Sequence, residues 1–370
     1  MLKSNQFEIQ FWYHPIFGGT GIQNLLEYYY PNSFKLYTDD SVIDSSVKNV
    51  ITFFWETSSA INLKSKTDKI EFYNLVDELN EIGFYFLADY TTEANYGVDT
   101  DRIEFLDKLD SILGGLDNFT LVSNNASDIS HIQYGHHKLN SVLFPHFLLS
   151  TPIQMKKYVG TIDNPISKEK DFLCLNRRVQ QHKFDFLEEL WKRNLLKDTY
   201  WTWVANYTQT TNTEMLNELG IDLDNFKPIQ LEGDAMYGSK LDKADEYLYT
   251  INPKWYLQSK VNLVVETNAW DGPIHLTEKT FKPIFLGIPF VVFASENHLD
   301  KLKEFGFNTF ETLIGEYSST SIDSVIGAGL KLLEIWDTDE VKTICEYNRN
   351  LLLDDDKHRY IIDTYFLNKI

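Results

Sequence analysis

Residues 262–290, NLVVETNAWDGPIHLTEKTFKPIFLGIPF, constrain the fold more than any other stretch of the chain. Leu263, Val264 and Val265 read as a buried strand that runs into a polar loop. Thr277 then precedes a helix with an acid and a base in its first turn, and residues 288–294 form a second apolar strand. Strand, loop, helix and strand in that order belong to a parallel α/β sheet, and the loop falls where such a unit can hold an anionic ligand.

The chemistry follows residue by residue. Thr277 is a good N-cap, and the exposed N–H groups of a helix start attract phosphate oxygens. Lys279 beside them adds a full positive charge to a partial one, an environment that suits a diphosphate. Glu278 is no phosphate ligand, but a carboxylate one residue away accepts hydrogen bonds from a ribose diol. Together the pair suggests a sugar nucleotide. The plainer reading is that Glu278 answers the helix dipole and Lys279 is solvated.

The whole segment sharpens this. Glu266 at a strand end, the polar loop, Thr277-Glu278-Lys279-Thr280-Phe281-Lys282, an apolar helix and Gly287-Ile288-Pro289-Phe290 follow one another. Over residues 262–307 this order resembles the donor-binding motif of the fucosyltransferases of glycosyltransferase family 10 and related bacterial and phage-encoded glycosyltransferases. The resemblance implies that Glu278 contacts the nucleotide ribose and Lys279 the diphosphate, with Glu266, Thr277 and Thr280 in the same donor site. It also departs from the family at Phe281-Lys282-Pro283, where the family has an aromatic residue, Arg and Asn. Pro283 lacks an N–H, so it is expected in the first turn of the helix or at a kink.

A second segment points the same way. Residues 172–175 read as a short buried strand, Asn176-Arg177-Arg178 as a turn, and residues 182–194 as an amphipathic helix with Phe186, Leu187, Leu190 and Trp191 on its apolar side. Two arginines at a strand-to-helix handover are placed to chelate phosphate. The resemblance implies that Arg177 or Arg178 neutralises the leaving diphosphate, and the choice between them stays open. The plainer alternative is a pair of surface arginines on a loop.

With 370 residues, 43% of them hydrophobic and 15% aromatic, the chain is long enough for two cores. It lacks an N-terminal apolar signal region, and its longest apolar runs are too short to span a bilayer, so a soluble, cytoplasmic protein is expected. Cys174 and Cys345 are the only cysteines, which argues against a disulfide framework or a zinc cluster. The sequons at Asn118, Asn125 and Asn206 mean little without secretion.

Net charge is −20. The first 150 residues hold 9 basic and 20 acidic side chains, net −11, leaving 25 against 34, net −9, in the remainder. An acidic first half repels a polyanionic acceptor, so nucleic acid is disfavoured as a partner and a glycan or small molecule is preferred.

Apolar segments at 7–13, 47–55, 84–87, 119–123 and 142–149 read as strands, and 22–30, 70–82 and 103–113 as helices. This alternation, resuming after residue 172, predicts two doubly wound Rossmann-like domains facing a central cleft, the architecture called GT-B. The expected division is an acceptor-binding domain at 1–150, a linker at 151–171, a nucleotide-sugar domain at 172–340, and C-terminal helices at 341–370 that cross back to the first domain. The Gly18-Gly19-Thr20-Gly21 turn either lines the cleft or is only a tight turn. It carries neither a P-loop Lys-Ser/Thr nor the spacing of a dinucleotide fold.

Sugar transfer with inversion needs a base for the acceptor hydroxyl, and acids at strand ends of the first domain are the candidates. Asp89 and Glu93, in a loop that also offers Tyr90 and hydroxyls, are preferred; Glu56 is the third. Each also reads as a cap or solvated acid. His131, His136 and His137 do not have the spacing of a helical ligand pair and have no nearby Cys, which argues against metal. His275, with Asp271 in the loop before Thr277, either touches phosphate or sugar or only orders the loop. Asp222-Leu-Asp224 lies in a polar loop and makes a poor metal motif, so metal-free transfer is expected, with Arg177, Arg178 and Lys279 handling the leaving charge.

The reading is therefore a glycosyltransferase using a nucleoside-diphosphate sugar as donor, inverting and metal-independent. One alternative is a phage-type enzyme acting on hydroxymethylated DNA bases; another is a non-catalytic sugar-nucleotide or glycan-binding protein.

Overall fold

The computed structural model describes residues 2–3, 8–14, 21–38, 40–54, 66–90, 100–127, 130–156, 167–177, 180–204, 216–217, 220–221 and 253–370. The chain divides into two compact units, one formed by Met1–Leu149 with Asp355–Ile370 and the other by Ser150–Asp354.

The first unit contains β1 (Leu2–Lys3), β2 (Glu8–Tyr13), α1 (Gly21–Tyr29), β3 (Phe34–Leu36), β4 (Lys48–Phe54), α2 (Lys66–Ile82), β5 (Tyr85–Tyr90), α3 (Thr100–Leu113), β6 (Phe119–Ser123), β7 (His131–Tyr134), β8 (His137–Leu143) and the start of α4 (His146–Met155). Its sheet runs β1-β2-β4-β5-β6-β8-β7, with β3 also on β2. β3, β2, β4, β5, β6 and β8 are parallel, and the short β1 and β7 add antiparallel edges. The chain leaves β2 in one direction through α1 and leaves β4 in the other through α2, so the order of crossovers reverses between β2 and β4.

Both faces of this sheet are covered. Ile51, Phe53, Phe86, Ala88, Phe119 and Leu121 pack with Phe72, Val76 and Leu79 of α2 and Phe105, Leu106 and Leu109 of α3. Phe366, from the C-terminal segment, stacks on Phe11 at 6.3 Å between ring centres and meets Phe144 edge-on at 5.0 Å. Tyr29 of α1 ties the same segment down, donating to the Leu149 carbonyl at 2.9 Å while its oxygen lies 2.8 Å from His358 Nδ1.

The second unit continues α4 and adds β9 (Lys170–Arg177), α5 (Gln181–Lys192), β10 (Thr199–Val204), α6 (Pro253–Gln258), β11 (Ser259–Trp270), α7 (Glu278–Leu286), β12 (Phe290–Ser295), α8 (His298–Glu304), α9 (Glu311–Ile314), α10 (Ile322–Ile335) and α11 (Asp339–Leu352). All four strands are parallel in the order β10-β9-β11-β12. Here too the winding reverses, between β9 and β11, so each unit is a doubly wound Rossmann-like sheet, as the alternation predicts. α10 lies on β11 and β12, and α11 packs on α7. The last helix, α12 (Asp355–Ile362), and the π-helical turn Asp363–Leu367 belong to the first unit.

One sequence expectation is corrected, and one of the two placements expected for Pro283 is removed. Residues 142–149 are not one strand: β8 ends at Leu143, and α4 begins at His146, its first helical bond running from Leu149 N to the Pro145 carbonyl. Phe147, Leu148 and Leu149 are all buried, and an apolar run buried on every side has the same pattern in strand and helix. Pro283 is not in the first turn of its helix but is its sixth residue, which removes the i+4 donor for the Lys279 carbonyl. No helix among the described residues is long and apolar enough to cross a membrane.

Candidate functional site

The site begins with an irregularity in β11. Val265 faces Phe293 on β12, yet Trp270 faces Ser295, so five steps along β11 match two on its neighbour. The surplus residues bulge out of the ladder at the carboxyl end of the strand, and they include Glu266 and Thr267. This end of β11 flanks the switch point against β9, where ligands of open α/β sheets bind.

Glu266 is completely buried. Its Oε1 accepts from Thr277 N at 3.2 Å and Thr280 Oγ1 at 2.6 Å. Its Oε2 accepts from Thr277 Oγ1 at 2.6 Å and Thr267 N at 3.3 Å, with Lys279 Nζ at 3.8 Å. A ligand contacting this carboxylate would have to displace one of these donors. Thr277 and Thr280 are three apart at the opening of α7, so their hydroxyls share one face of the helix and meet both oxygens. Burial pushes the Glu266 carboxyl up, but Lys279, His298 and the two threonines together hold it below its ordinary value, so it is an anion at neutral pH.

Thr277 is also the N-cap of α7, its Oγ1 accepting from Lys279 N at 3.3 Å. At the far end Gly287 adopts φ 68°, the left-handed conformation that closes a helix. Between these caps every residue from Thr280 to Leu286 is buried, so α7 is a fixed platform.

Glu278 and Lys279 project from its first turn. Lys279 Nζ donates to Thr267 Oγ1 at 2.9 Å and to Thr277 Oγ1 at 3.2 Å, and stands 3.8 Å from Glu278 Oε1. The side chains retain 22% exposure at Lys279 and 13% at Glu278, against 0% at Glu266. Burial raises the Glu278 carboxyl, but Lys279 and then Lys282 pull it below its ordinary value. The first turn of α7 thus presents an ionised carboxylate and a lysine side by side at a helix N-terminus.

Three histidines surround this group. His275 is buried, and desolvation lowers its pKa to about 4, leaving a neutral imidazole. His298 is fully buried, also lowered to about 4 by desolvation, with Nε2 3.5 Å from Thr280 Oγ1. His182, at the start of α5, has Nε2 3.0 Å from the Glu266 carbonyl and its ring edge-on to Trp270. His182, His298 and Thr267 escaped the sequence reading. Only the fold brings the two histidines to Glu266, and no local spacing marks them; Thr267 adjoins Glu266 in sequence.

Across the switch point, Asn176 is buried near the end of β9. Its amide donates to Thr202 Oγ1 at 2.8 Å and its side-chain Nδ2 to Cys174 Sγ at 3.4 Å. Arg177 is the last residue of β9, paired with Val204. The Arg177 side chain and Arg178 lie outside the described residues, as do Gly18, Gly19, Thr20, Glu56, Glu93, Asp222 and Asp224.

In the first unit Asp89 sits near the end of β5 and is buried. Its Oδ2 accepts from Ile22 N at 2.9 Å, at the start of α1. The carboxylate thereby faces the N-terminus of the helix that follows β2, a favourable place for an anion.

No protein-family model and no curated protein matches the chain. Among solved structures, a trehalose-6-phosphate synthase studied with bisubstrate glycomimetics is similar at 11% identity and a TM-score of 0.41, over 85% of this chain and 73% of that one. The N-terminal domain of a Candida albicans trehalose-6-phosphate phosphatase is similar at 9% identity and a TM-score of 0.40, over 98% of this chain and 99% of that one. Identities this low say nothing about activity.

Proposed function

We propose that the second unit binds a nucleoside-diphosphate sugar and that the chain is a glycosyltransferase of GT-B type. The observation that carries this reading is the pair Glu278 and Lys279 at the start of α7. They alone among Glu266, Thr277, Glu278, Lys279 and Thr280 keep appreciable side-chain exposure, at the carboxyl edge of the sheet where its winding reverses. Lys279, at the positive end of the α7 dipole, takes the diphosphate, Glu278 takes the ribose diol, and Arg177 or Arg178 adds charge from the β9 side. Glu266, Thr277 and Thr280 hold the turn in place, and neutral His275 and His298 add no competing charge.

In this reading the acceptor oxygen bonds to the anomeric carbon as the carbon–diphosphate bond breaks, with inversion. The acceptor proton passes to a carboxylate of the first unit, and the departing diphosphate is stabilised by Lys279 and the arginine without a metal. Asp89 is already engaged on the Ile22 amide, which supports a positioning role for it and leaves Glu93 and Glu56 as candidate bases. A glycan or small-molecule acceptor suits the acidic chain better than DNA.

Calorimetric titration with UDP, GDP, ADP, CDP and dTDP tests the donor site. Saturable binding of one of them, weakened about 10- to 100-fold by Lys279→Ala as expected for one charge-assisted contact, supports the reading. Absence of binding by any of the five, or identical binding by the variant, overturns it.

A further inference from the structure

The β7–β8 hairpin presses its turn onto α3. Tyr134 pairs with His137, leaving Gly135 and His136 as the two turn residues. Gly135 has φ +60°, the left-handed conformation that glycine adopts without strain, and a Cβ there would stand 2.9 Å from Ile103 Cδ1, so the turn lies directly against the helix. Asp107 is four residues beyond Ile103. The face of α3 that receives Gly135 therefore also presents the Asp107 carboxylate to the two residues that follow the glycine.

His136 Nε2 and His137 Nε2 each lie 2.8 Å from the same oxygen, Asp107 Oδ1. The two rings are 4.1 Å apart at 38°. Neighbouring residues of a strand point to opposite faces, and it is the turn that folds these two rings to one side. A divalent cation placed here would take a lone pair from each imidazole, and the carboxylate would supply compensating charge.

We propose that Asp107, His136 and His137 form a site for a divalent transition-metal ion of the zinc class, which clips the β7–β8 hairpin to α3. The three donor atoms all lie within 4.8 Å of one another. Ligands of a tetrahedral zinc at about 2.0–2.1 Å are separated by about 3.3 Å, so the two nitrogen-to-oxygen distances of 2.8 Å need widen only slightly to admit the ion. Two imidazole nitrogens and one carboxylate oxygen suit zinc, nickel or copper rather than magnesium or calcium, whose ligands are oxygens. His137 is 7% exposed and provides a fixed ligand, while Asp107 at 49% and His136 at 67% leave an entry path and room for water at the remaining position.

The site is structural. His137 opens β8, so the cluster stands at the amino end of that strand, opposite the carboxyl ends where ligands of such sheets bind. Clipping the hairpin joins the edge strand β7 to a helix that the hydrophobic core already holds.

The test uses the full chain after chelator treatment, titrated with Zn²⁺ by calorimetry and followed by thermal melts with Zn²⁺ and with chelator. Asp107→Asn and His136→Gln are the informative variants, since both side chains are exposed and the fold does not depend on them. His131→Gln is the control, because that ring contacts Ser130 rather than Asp107. The expected result is one equivalent of zinc bound by the wild type and the control, a higher melting temperature with zinc, and at least a tenfold loss of affinity in each ligand variant. Cobalt substitution adds a spectroscopic check, with visible bands in the wild type that the double variant lacks. Absence of saturable binding at millimolar zinc, or zinc binding unchanged in the Asp107→Asn/His136→Gln double variant, overturns the proposal.

Discussion

Thr280 donates its hydroxyl proton to Glu266 across 2.6 Å, a contact between residues 14 apart in sequence that joins the bulge of β11 to the first turn of α7. Glu266 has no access to water, so removing its carboxylate leaves two threonine hydroxyls and the amides of Thr267 and Thr277 unanswered, and Lys279 with Glu278 as its remaining countercharge. Glu266→Ala is expected to destabilise the chain by about 3–5 kcal/mol, the range for breaking a buried charged group from its partners. Glu266→Gln keeps one carbonyl acceptor and is expected to cost about 1–3 kcal/mol. Urea denaturation of the two variants checks the order, and equal stability of Glu266→Ala and wild type would show that the network contributes nothing.

Glu278 carries a sharper prediction about the ligand. Its proposed role on the ribose diol means that the wild type should prefer a ribonucleoside diphosphate to its 2′-deoxy counterpart by roughly tenfold or more, the worth of one hydrogen bond to a charged acceptor. Glu278→Ala should bind both forms equally, at the weaker affinity. Lys279→Ala should weaken both while preserving the preference. Calorimetry with the two nucleotides completes a double-mutant cycle, and a preference that survives in Glu278→Ala would remove that carboxylate from the ribose.

Much of this site was legible in sequence, for identifiable reasons. β11, α7 and β12 each carry a strong pattern: Val264 and Val265 in an apolar run, Thr277 as a cap, Gly287 as a stop. The role of Glu266 was less so, because an acid at a strand end reads alike whether it meets a ligand or holds a helix. What separates the two is the bulge that turns Glu266 inward, a property of the ladder between Val265 and Trp270 rather than of any one residue. His182 and His298 reach Glu266 from other elements and leave no periodic trace. The Asp107 cluster is similar: the spacing of His131, His136 and His137 argues against metal, but the third donor comes from α3, and Gly135 against Ile103 brings it there. Residues 142–149 misled for a different reason, since the change from strand to helix at Pro145 leaves the apolar pattern unbroken.

The buried histidines set the pH dependence of stability. His275 and His298 titrate at about 4 in the folded chain against 6.5 ordinarily, because burial disfavours their charged forms. Between those values the unfolded chain binds protons that the folded chain does not, so stability is full above pH 6.5 and falls as pH drops toward 4. Each histidine contributes a slope of about 1.4 kcal/mol per pH unit in that window. Glu266 adds to the loss at lower pH, since its folded pKa lies below the usual 4.5 and its stabilising charge disappears as pH falls through that lower value. Urea midpoints at pH 7 and pH 5 should therefore differ clearly in the wild type and less in His298→Gln. A slope unaltered by that substitution would place the acid sensitivity elsewhere.

Asp89 separates positioning from proton transfer. Its oxygen accepts from Ile22 N at 2.9 Å, and asparagine can accept the same bond while alanine cannot. Asp89→Ala is expected to lose about 1–3 kcal/mol by stranding the amide at the start of α1, whereas Asp89→Asn should lose less than about 1 kcal/mol. If the residue only holds α1, Asp89→Asn also keeps its rate of sugar transfer within about tenfold, while Glu93→Gln or Glu56→Gln lowers the rate by the 10²- to 10⁴-fold typical of a lost general base. Transfer rates measured beside urea stability distinguish the cases. A rate for Asp89→Asn reduced as far as a base variant, at unchanged stability, would return the proton-accepting role to Asp89 and release Glu93 and Glu56 from it.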